Sequence, residues 1–214
     1  KAPAMKGSAI PHLHAPPTYL LNNKKTKIIG NGTKIKKNIF LNNSVKDNII
    51  FFGNINSLAN MTACIDLIKN YLPGLNKKIP SIKLIILGNC SLLLKIFFNF
   101  LGAKVYSNIK DLSNYTKKTL AGVCNVKIQS GLQNKILDYT SIGLPVLANK
   151  ISNNFKYLKS HDILIFKNKK DFLKKVELLK NNKKLQKKLS TNCFKKTKKF
   201  YSWEIALKNY ESLL

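Results

Sequence analysis

Apolar residues in the middle of the chain fall into short continuous runs, each closed by a glycine or a turn. The clearest are Asn48–Phe52 (NIIFF) and Ile82–Leu87 (IKLIIL), which are followed by Gly53 and Gly88. Runs of this length without polar alternation are typical of strands buried on both faces of a parallel sheet. Four further strands are predicted, at 104–106, within 120–128, and at 146–148 and 163–166.

Between these runs, apolar residues recur at helical spacing. The spacing predicts helices over 58–72 (ended by Pro73-Gly74), 91–101, 112–118 (capped by Asp111) and 132–142. The most apolar stretch, Leu92 to Leu101, is interrupted by Lys95 and Asn99 and predicts a buried helix. Alternating strands and helices indicate an α/β fold with a doubly wound, mostly parallel Rossmann-like sheet and a helical C-terminus.

The pattern divides the chain into four parts. Residues 1–26 are rich in proline and glycine and predict a disordered tail or the remnant of an upstream segment. Residues 27–46 predict a linker strand and turn, 47–200 the Rossmann-like domain, and 201–214 a terminal helix. None of the apolar runs approaches the ~20 residues that a membrane-spanning helix needs.

The chain is strongly basic, with 38 basic residues against nine acidic ones and a net charge of +29. Every basic residue is lysine. Proteins that recognise nucleic acid favour arginine, because its planar guanidinium makes two hydrogen bonds to phosphate or guanine at once. The lysine excess, with abundant asparagine and isoleucine, is typical of an AT-rich genome, so we predict no specific nucleic-acid partner.

The lysines of residues 174–188 lie mostly opposite the apolar helical face formed by Phe172, Val176 and Leu179. We interpret them as a solvated face and leave open their attraction to an anionic membrane. The four cysteines lack a CxxC pair and indicate buried, reduced thiols in a cytoplasmic protein. Localisation is therefore expected to be cytoplasmic, with peripheral contact at the inner face of the membrane left open. No metal site is predicted, because His12 and His14 have no converging ligands.

The carboxyl ends of the predicted strands carry the candidate binding residues, since open α/β sheets bind ligands at that edge. Four strand ends stand out: Gly53-Asn54, Gly88-Asn89, Asn108-Ile109 and Ser130-Gly131-Leu132-Gln133-Asn134. The last segment opens a helix, where a glycine permits close approach and free N–H groups favour an anion such as a diphosphate.

Two charged residues follow in that helix. Lys135 stands in the first turn, where helix electrostatics ordinarily favour an acid, and this indicates a bound anion. Asp138 lies three residues on, on the same face, and its carboxylate can accept hydrogen bonds from both hydroxyls of a ribose. From the residues alone, a ribose ligand and an ordinary surface acid are equally supported.

The run SGLQNKILDYTSIGLPVLAN (130–149) resembles the donor-binding segment of family 4 glycosyltransferases, which have the GT-B fold. The residues that match the family pattern are Gly131, Lys135, Asp138, Gly143, Pro145 and Val146. Weaker similarity extends over about residues 27–214. It includes Ile28-Ile29-Gly30-Asn31-Gly32, Phe52-Gly53-Asn54 with Asn60, the loop 107–111 and Tyr201-Ser202-Trp203-Glu204. The resemblance identifies the chain as a C-terminal, donor-binding domain.

The resemblance also implies roles. Main-chain groups near Ile109 would hold the nucleobase, Asp138 the ribose, and the N–H groups of 132–134 with Lys135 the diphosphate and nearby sugar. The implied activity is retaining transfer of a sugar from a nucleoside diphosphate sugar to a glycan or lipid-linked acceptor in cell-envelope polysaccharide biosynthesis. The donor is a substrate and no cofactor is expected; no catalytic residue is assigned.

Several features depart from the family pattern. Ser130 stands where many members have an acid, and Asp138 is one methylene shorter than the usual glutamate. Residues 1–46 leave no room for the N-terminal domain that completes a GT-B cleft, so the chain is expected not to catalyse transfer without it. Apolar residues of the terminal helix are expected to form an exposed patch toward that domain: Ile205, Ala206, Leu207, Leu213 and Leu214. Two alternatives stay open, another GT-B enzyme such as a nucleotide-sugar epimerase and a non-enzymatic basic binding module.

Overall fold

The sheet predicted from the sequence is present. The computed structural model describes residues 31–38, 40, 45–109, 112–127, 132–152 and 155–211; the predicted strand within 27–46 and the tail before it fall largely outside this range. Six parallel strands form one sheet in the order β3-β2-β1-β4-β5-β6. They are β1 (Asn48–Phe52), β2 (Lys83–Leu87), β3 (Lys104–Tyr106), β4 (Thr119–Cys124), β5 (Val146–Asn149) and β6 (Leu164–Phe166). This order is that of a doubly wound Rossmann-like fold.

The central strands are buried on both faces, which explains their continuous apolar runs. Ile49 and Phe51 of β1 belong to one core cluster, whereas Ile50 between them belongs to a second cluster. Successive side chains of a strand point to opposite faces of the sheet, so the two clusters lie on its two sides. All six residues of β4 are buried as well.

Helices cover both faces. They are α1 (Leu58–Asp66), α2 (Leu72–Lys78), α3 (Leu92–Phe100), α4 (Asn134–Thr140), α5 (Lys169–Asn181), α6 (Lys183–Tyr201) and α7 (Trp203–Glu211). The cluster around Ile49 receives buried residues from α1, α2, α3 and α5, and the cluster around Ile50 receives those of α4. Helix α6 contributes to both, through Leu189 on one side and Cys193 on the other.

The prediction that Pro73-Gly74 ends the helix begun at Leu58 is wrong. The chain stays helical to Lys78, through a π-helical turn at Leu67–Tyr71. Pro73 is the second residue of α2 and lies in the first turn of that helix, where a missing N–H is tolerated. The preceding π turn has already shifted the hydrogen-bond register. Gly74 instead allows close packing, because an added Cβ would lie 2.9 Å from Leu173 Cδ1 of α5.

The prediction of a buried helix over the most apolar run is also wrong. Helix α3 buries Phe98 and partly buries Leu94, and Leu101 at its C-terminal cap is also partly buried. Its remaining large apolar side chains are exposed: Leu92, Leu93, Ile96, Phe97 and Phe100. The helix connects β2 to the edge strand β3, and only one of its apolar faces meets the core.

Other element bounds differ by a few residues. A 3₁₀ turn, Leu112–Tyr115, replaces the predicted helix over 112–118, because β4 already begins at Thr119. Strand β4 ends at Cys124 rather than 128, and α4 spans 134–140 rather than 132–142. The predicted capping residue Asp111 lies outside the described residues.

All four cysteines are buried and unpaired, as predicted. In the terminal helix, Leu207 is exposed, whereas Ala206 is buried; Leu213 and Leu214 lie outside the described residues. Among the residues that the structure describes, no helix combines the length and apolarity needed to cross a bilayer.

Candidate functional site

A crevice opens at the carboxyl edge of the sheet, between β1 and β4. Strand β1 pairs with β2 on one side and with β4 on the other, so the strand order reverses there. The connection after β1 leads to α1 on one face of the sheet, and the connection after β4 leads to α4 on the other. Connections that part in this way leave a ligand-sized opening between them.

Two adjoining cavities occupy this crevice, and they share Phe52, Asn134 and Asp138. The first, of about 310 Å³, is further lined by Gly53, Ser57, Ala59, Asn60, Val126, Leu132, Gln133 and Lys135. The second, of about 430 Å³, is further lined by Gly32, Thr33, Lys34, Lys36, Leu112, Leu137, Ser141, Ile142 and Trp203. The sequence-predicted helix start therefore lies at the boundary between the two.

Glycines let the strand ends come together beneath the first cavity. Gly88, which follows β2, has φ of +131°, and an added Cβ would overlap the carbonyl oxygen of Gly53. The Gly53 N–H continues the parallel ladder by donating to Leu87 O at 3.1 Å. Only glycine fits at position 88, both for its backbone conformation and for this contact.

Lys135 is the buried cation of the first cavity. Lys135 is only 8% exposed, and its Nζ donates to Asn60 Oδ1 at 2.7 Å. The same Nζ lies 4.7 Å from the centroid of the Phe51 ring. Burial lowers the pKa of the Lys135 ammonium group, because the charged form loses hydration. A bound anion next to Lys135 would stabilise its charged form and offset this loss of hydration.

Asn60 is oriented by the loop that follows β1. Its Nδ2 donates to the carbonyl oxygen of Asn54 at 2.8 Å, and the Ser57 hydroxyl donates to the same oxygen at 2.9 Å. Asn54 does not line either cavity; it fixes the amide of Asn60, which in turn accepts from Lys135. The similarity to the family had singled out Asn60, but the residues alone gave no reason to connect it with Lys135.

Asp138 lies between the two cavities. Burial raises the pKa of its carboxyl group to about 6, and the charges of Lys36 and Lys135 partly oppose this rise. The half-buried carboxyl therefore loses its proton near pH 6, and a ligand that donates hydrogen bonds to it would favour the ionised form.

Tyr139 fixes the helix that carries these two residues. Its hydroxyl accepts from the Phe52 N–H at 2.7 Å and donates to Val123 O at 3.3 Å. An added Cβ at Gly122 of β4 would overlap the Tyr139 ring. The sequence did not single out Tyr139, although a glycine inside a strand is a sign of such a close approach.

The wall of the second cavity comes from the segment 31–38. Thr33 pairs with Ser202 at the start of α7, through Thr33 N to Tyr201 O at 2.7 Å and Trp203 N to Thr33 O at 3.2 Å. Asn31 Nδ2 donates to Asn134 Oδ1 at 2.9 Å. No local pattern marked this segment as part of the site, since only tertiary packing brings it to α4.

The structure brings most of the predicted site residues together. Gly53, Leu132, Gln133, Asn134, Lys135 and Asp138 line the first cavity. Asn108, which has a left-handed φ of 57°, and Ile109, which packs against the apolar cluster under α4, line neither cavity. Ser130 and Gly131 lie outside the described residues. Among the described side chains, no group of three or more His, Cys, Asp or Glu is placed to hold a metal ion.

No protein-family model and no curated protein matches this chain. Solved structures do match it. TarM from S. aureus, in complex with fondaparinux, α-GlcNAc-glycerol and UDP, has a TM-score of 0.65 and 15% identity over 92% of this chain and 41% of its own. HepE from Anabaena, in complex with UDP and glucose, has a TM-score of 0.63 and 11% identity over 78% and 48%. A glycosyltransferase from Rickettsia africae has a TM-score of 0.63 and 15% identity over 79% and 48%.

The chain thus spans less than half the length of each of these proteins. At such low identity the similarity establishes the fold. The described part of the chain has the Rossmann-like fold found within GT-B glycosyltransferases.

Proposed function

We propose that the chain binds the nucleoside diphosphate sugar of a glycosyltransferase at the crevice between β1 and β4. The observation that supports this most is the placement of Lys135 and Asp138, one buried cation and one half-buried acid, at the switch point of a fold shared with glycosyltransferases. Two of those similar proteins were solved with UDP bound. A nucleoside diphosphate offers an anion for the lysine and ribose hydroxyls for the carboxylate.

Lys135 is assigned to the diphosphate. An ammonium group has three N–H donors, and Asn60 accepts from one of them. Within the described residues the others have no hydrogen-bond acceptor, so they can donate to phosphate oxygens while the side chain keeps its orientation. Main-chain groups of 132–134 would complete the phosphate contacts. Charge-assisted hydrogen bonds of this kind are short and strong, and they are strengthened where water is excluded.

Asp138 is assigned to the ribose, because its ionised carboxylate accepts from two neighbouring hydroxyls. The nucleobase is assigned to the loop that contains Asn108 and Ile109. Leu112 follows this loop and lines the second cavity, which Asp138 also borders. The base and ribose would then lie on the side of the second cavity, and the diphosphate and sugar in the first.

We propose further that transfer is to a glycan or lipid-linked acceptor of the cell envelope, with retention, and that it needs a second domain across the crevice. These assignments rest on the resemblance of residues 130–149 to family 4 glycosyltransferases. The 214-residue chain should bind donor but not turn it over, and adding an N-terminal GT-B domain should restore transfer. Robust turnover by the chain alone would contradict the need for a second domain.

Donor binding is tested by isothermal titration with UDP and UDP-glucose. Asp138→Ala removes one or two hydrogen bonds to a charged acceptor, each worth ~1.5–3 kcal/mol, so affinity should fall at least tenfold. Glu211→Ala, an exposed acid on α7, is the matched control and should bind normally. Equal affinities in the two variants would refute the ribose role of Asp138, and no binding at all would favour a basic binding module.

A further inference from the structure

Helix α3 has two apolar faces, and only one of them is used by the core. Leu94, Phe98 and Leu101 face the core. The outward stripe consists of Leu92, Leu93, Ile96, Phe97 and Phe100, with exposed fractions between 43% and 86%. Positions 92, 96 and 100, with 93 and 97, repeat at i, i+4, so the stripe is continuous over about 12 Å of helix. Five large apolar side chains on one surface face are far more than scattered exposure explains.

The chain segment that carries this stripe has charges of one sign. No acidic residue occurs between Leu67 and Lys110, a stretch that includes α2, α3, β2 and β3. Lys95 lies on α3 beside Ile96, and the exposed Lys104 begins β3, a few residues after the helix ends. Glu177 reaches Lys78 of α2 from α5 and pairs with it at 2.6 Å. The stripe is therefore apolar, and the charged residues of its own segment are all lysines.

We propose that the outward stripe of α3 is a membrane-docking surface, whose partner is the anionic face of a lipid bilayer. The leucine and phenylalanine side chains would enter the boundary between headgroups and acyl chains, and Lys95 and Lys104 would contact lipid phosphates. A helix that lies in the interface with its apolar face buried binds through apolar area together with attraction to anionic lipid. This inference assigns membrane contact to α3 rather than to the lysine-rich face of α5 and α6, and it does not rest on donor binding.

Two other occupants fit the surface less well. A symmetric dimer through this face would bring Lys95 and Lys104 of both copies into one interface, and each chain carries a net charge of +29. A second domain across the crevice would cover the carboxyl edge of the sheet. Helix α3 starts at that edge, after β2, and ends at the amino end of β3, so the most exposed residue, Phe100, lies at the far end from the crevice.

The test measures partition of the 214-residue chain onto vesicles by flotation, with phosphatidylcholine alone and with phosphatidylcholine mixed with phosphatidylglycerol. The chain should float with the anionic vesicles. Leu93→Ser/Phe100→Ser should lower the partition coefficient about tenfold or more, because two large apolar side chains no longer enter the lipid. Ile151→Ser/Leu178→Ser removes two comparably large, half-exposed residues elsewhere and should change it less than about twofold.

Insertion is measured directly with Phe100→Trp. Its emission should shift to the blue on anionic vesicles and be quenched by brominated acyl chains, beyond what Trp203 shows in the unmodified chain. Lys95→Gln/Lys104→Gln should weaken binding to anionic vesicles and leave the thermal unfolding temperature unchanged.

Three results would overturn the proposal. They are absence of vesicle binding, binding that Leu93→Ser/Phe100→Ser leaves unchanged, and a lipid-free dimer that this variant dissociates in sedimentation velocity. UDP titration of the same variants keeps the two proposals apart. If a variant loses vesicle binding but keeps its affinity for UDP, the result bears only on membrane docking by α3. If no variant binds UDP, the result contradicts only the proposal of donor binding in the crevice.

Discussion

At the scale of single residues, the crevice holds two ionisable groups in surroundings that disfavour their charged forms. Burial raises the pKa of Asp138 and lowers that of Lys135. Neighbouring groups compensate this burial of charge only in part, so both residues reduce the stability of the unliganded fold. Such opposed shifts in a cleft are typical of binding sites, where a ligand supplies the missing partners.

The first prediction concerns the stability cost of Asp138. Its carboxyl pKa rises from 3.8 to about 6 on folding. Between these values the folded chain keeps a proton that the unfolded chain has lost, so stability falls as pH rises through this window and stays lower above it. Asp138→Asn should raise the free energy of unfolding near neutral pH by roughly 1–3 kcal/mol and remove this part of the pH dependence. Urea titrations at about pH 4 and about pH 8 measure it, with Glu211→Gln as the control.

The second prediction concerns pH and donor affinity. An ionised Asp138 accepts hydrogen bonds from the ribose better than the protonated acid does, so affinity should rise as pH passes through about 6. UDP-glucose is the ligand of choice, because its diphosphate is esterified at both ends and does not titrate in this range. Asp138→Asn should bind more weakly and show a flat profile. A rise of equal size in that variant would mean that another group is responsible.

The third prediction separates binding from structure at Lys135. Lys135→Met removes a charged hydrogen-bond donor worth ~1.5–3 kcal/mol to the bound diphosphate, so affinity should fall tenfold or more. Thermal stability should hold or rise, because an apolar chain of similar length replaces a buried ammonium group. Lys188→Met, at an exposed position on α6, is the control and should change neither quantity. Lower stability with normal affinity would make Lys135 a structural residue.

At the scale of elements, the position of α4 depends on a strand glycine and a buried tyrosine. Gly122 lets the Tyr139 ring lie against β4, and the Tyr139 hydroxyl joins β1 to β4 through Phe52 N and Val123 O. The residues proposed to bind donor are carried by the same helix. A change in the distance between α4 and β4 would therefore disturb packing and binding together.

The fourth prediction follows from this contact. Gly122→Ala should destabilise the fold by ~1–3 kcal/mol, because the new methyl group overlaps the Tyr139 ring, and it should weaken UDP binding. Gly74→Ala is the control: its Cβ would meet the flexible end of Leu173, outside the cavities, and UDP affinity should not change. Normal UDP affinity in Gly122→Ala would show that the site tolerates movement of α4.

At the scale of the whole molecule, the net charge of +29 governs association more than folding. The fifth prediction is that any binding to nucleic acid is non-specific and falls steeply with salt, because it depends on lysine contacts to phosphates and the release of counterions. Competition between unrelated duplexes over a salt series measures this. A sequence-selective complex that survives high salt would contradict it. The same charge explains why anionic surfaces are the expected partners of the α3 stripe.

The sequence determined the fold class and the main binding segment, because both depend on local patterns. Continuous apolar runs marked the central strands, since a strand buried on two faces must be apolar throughout, whereas the edge strand β3 (Lys104–Tyr106) is short and exposes two of its three residues. Between Gly53 and Asp138, polar residues directly follow several of the predicted strands. The carboxyl ends of parallel strands lie at one edge of the sheet, so these residues could be expected to lie close together. Lys135 and Asp138 could be paired because residues three apart share a helical face.

Tertiary structure alone decided which apolar faces are covered and which distant residues meet. The run 92–101 predicts a buried helix, yet one apolar face of this helix is exposed because it lies beside the edge strand β3. A local sequence pattern does not report whether a further element covers the outer face of a helix. Pro73-Gly74 does not end the helix, because the π turn places Pro73 in a first helical turn and Gly74 permits close packing against α5. The contact of Asn60 with Lys135 and the wall formed by residues 31–38 join positions 75 or more residues apart, and no periodicity reports on such pairs.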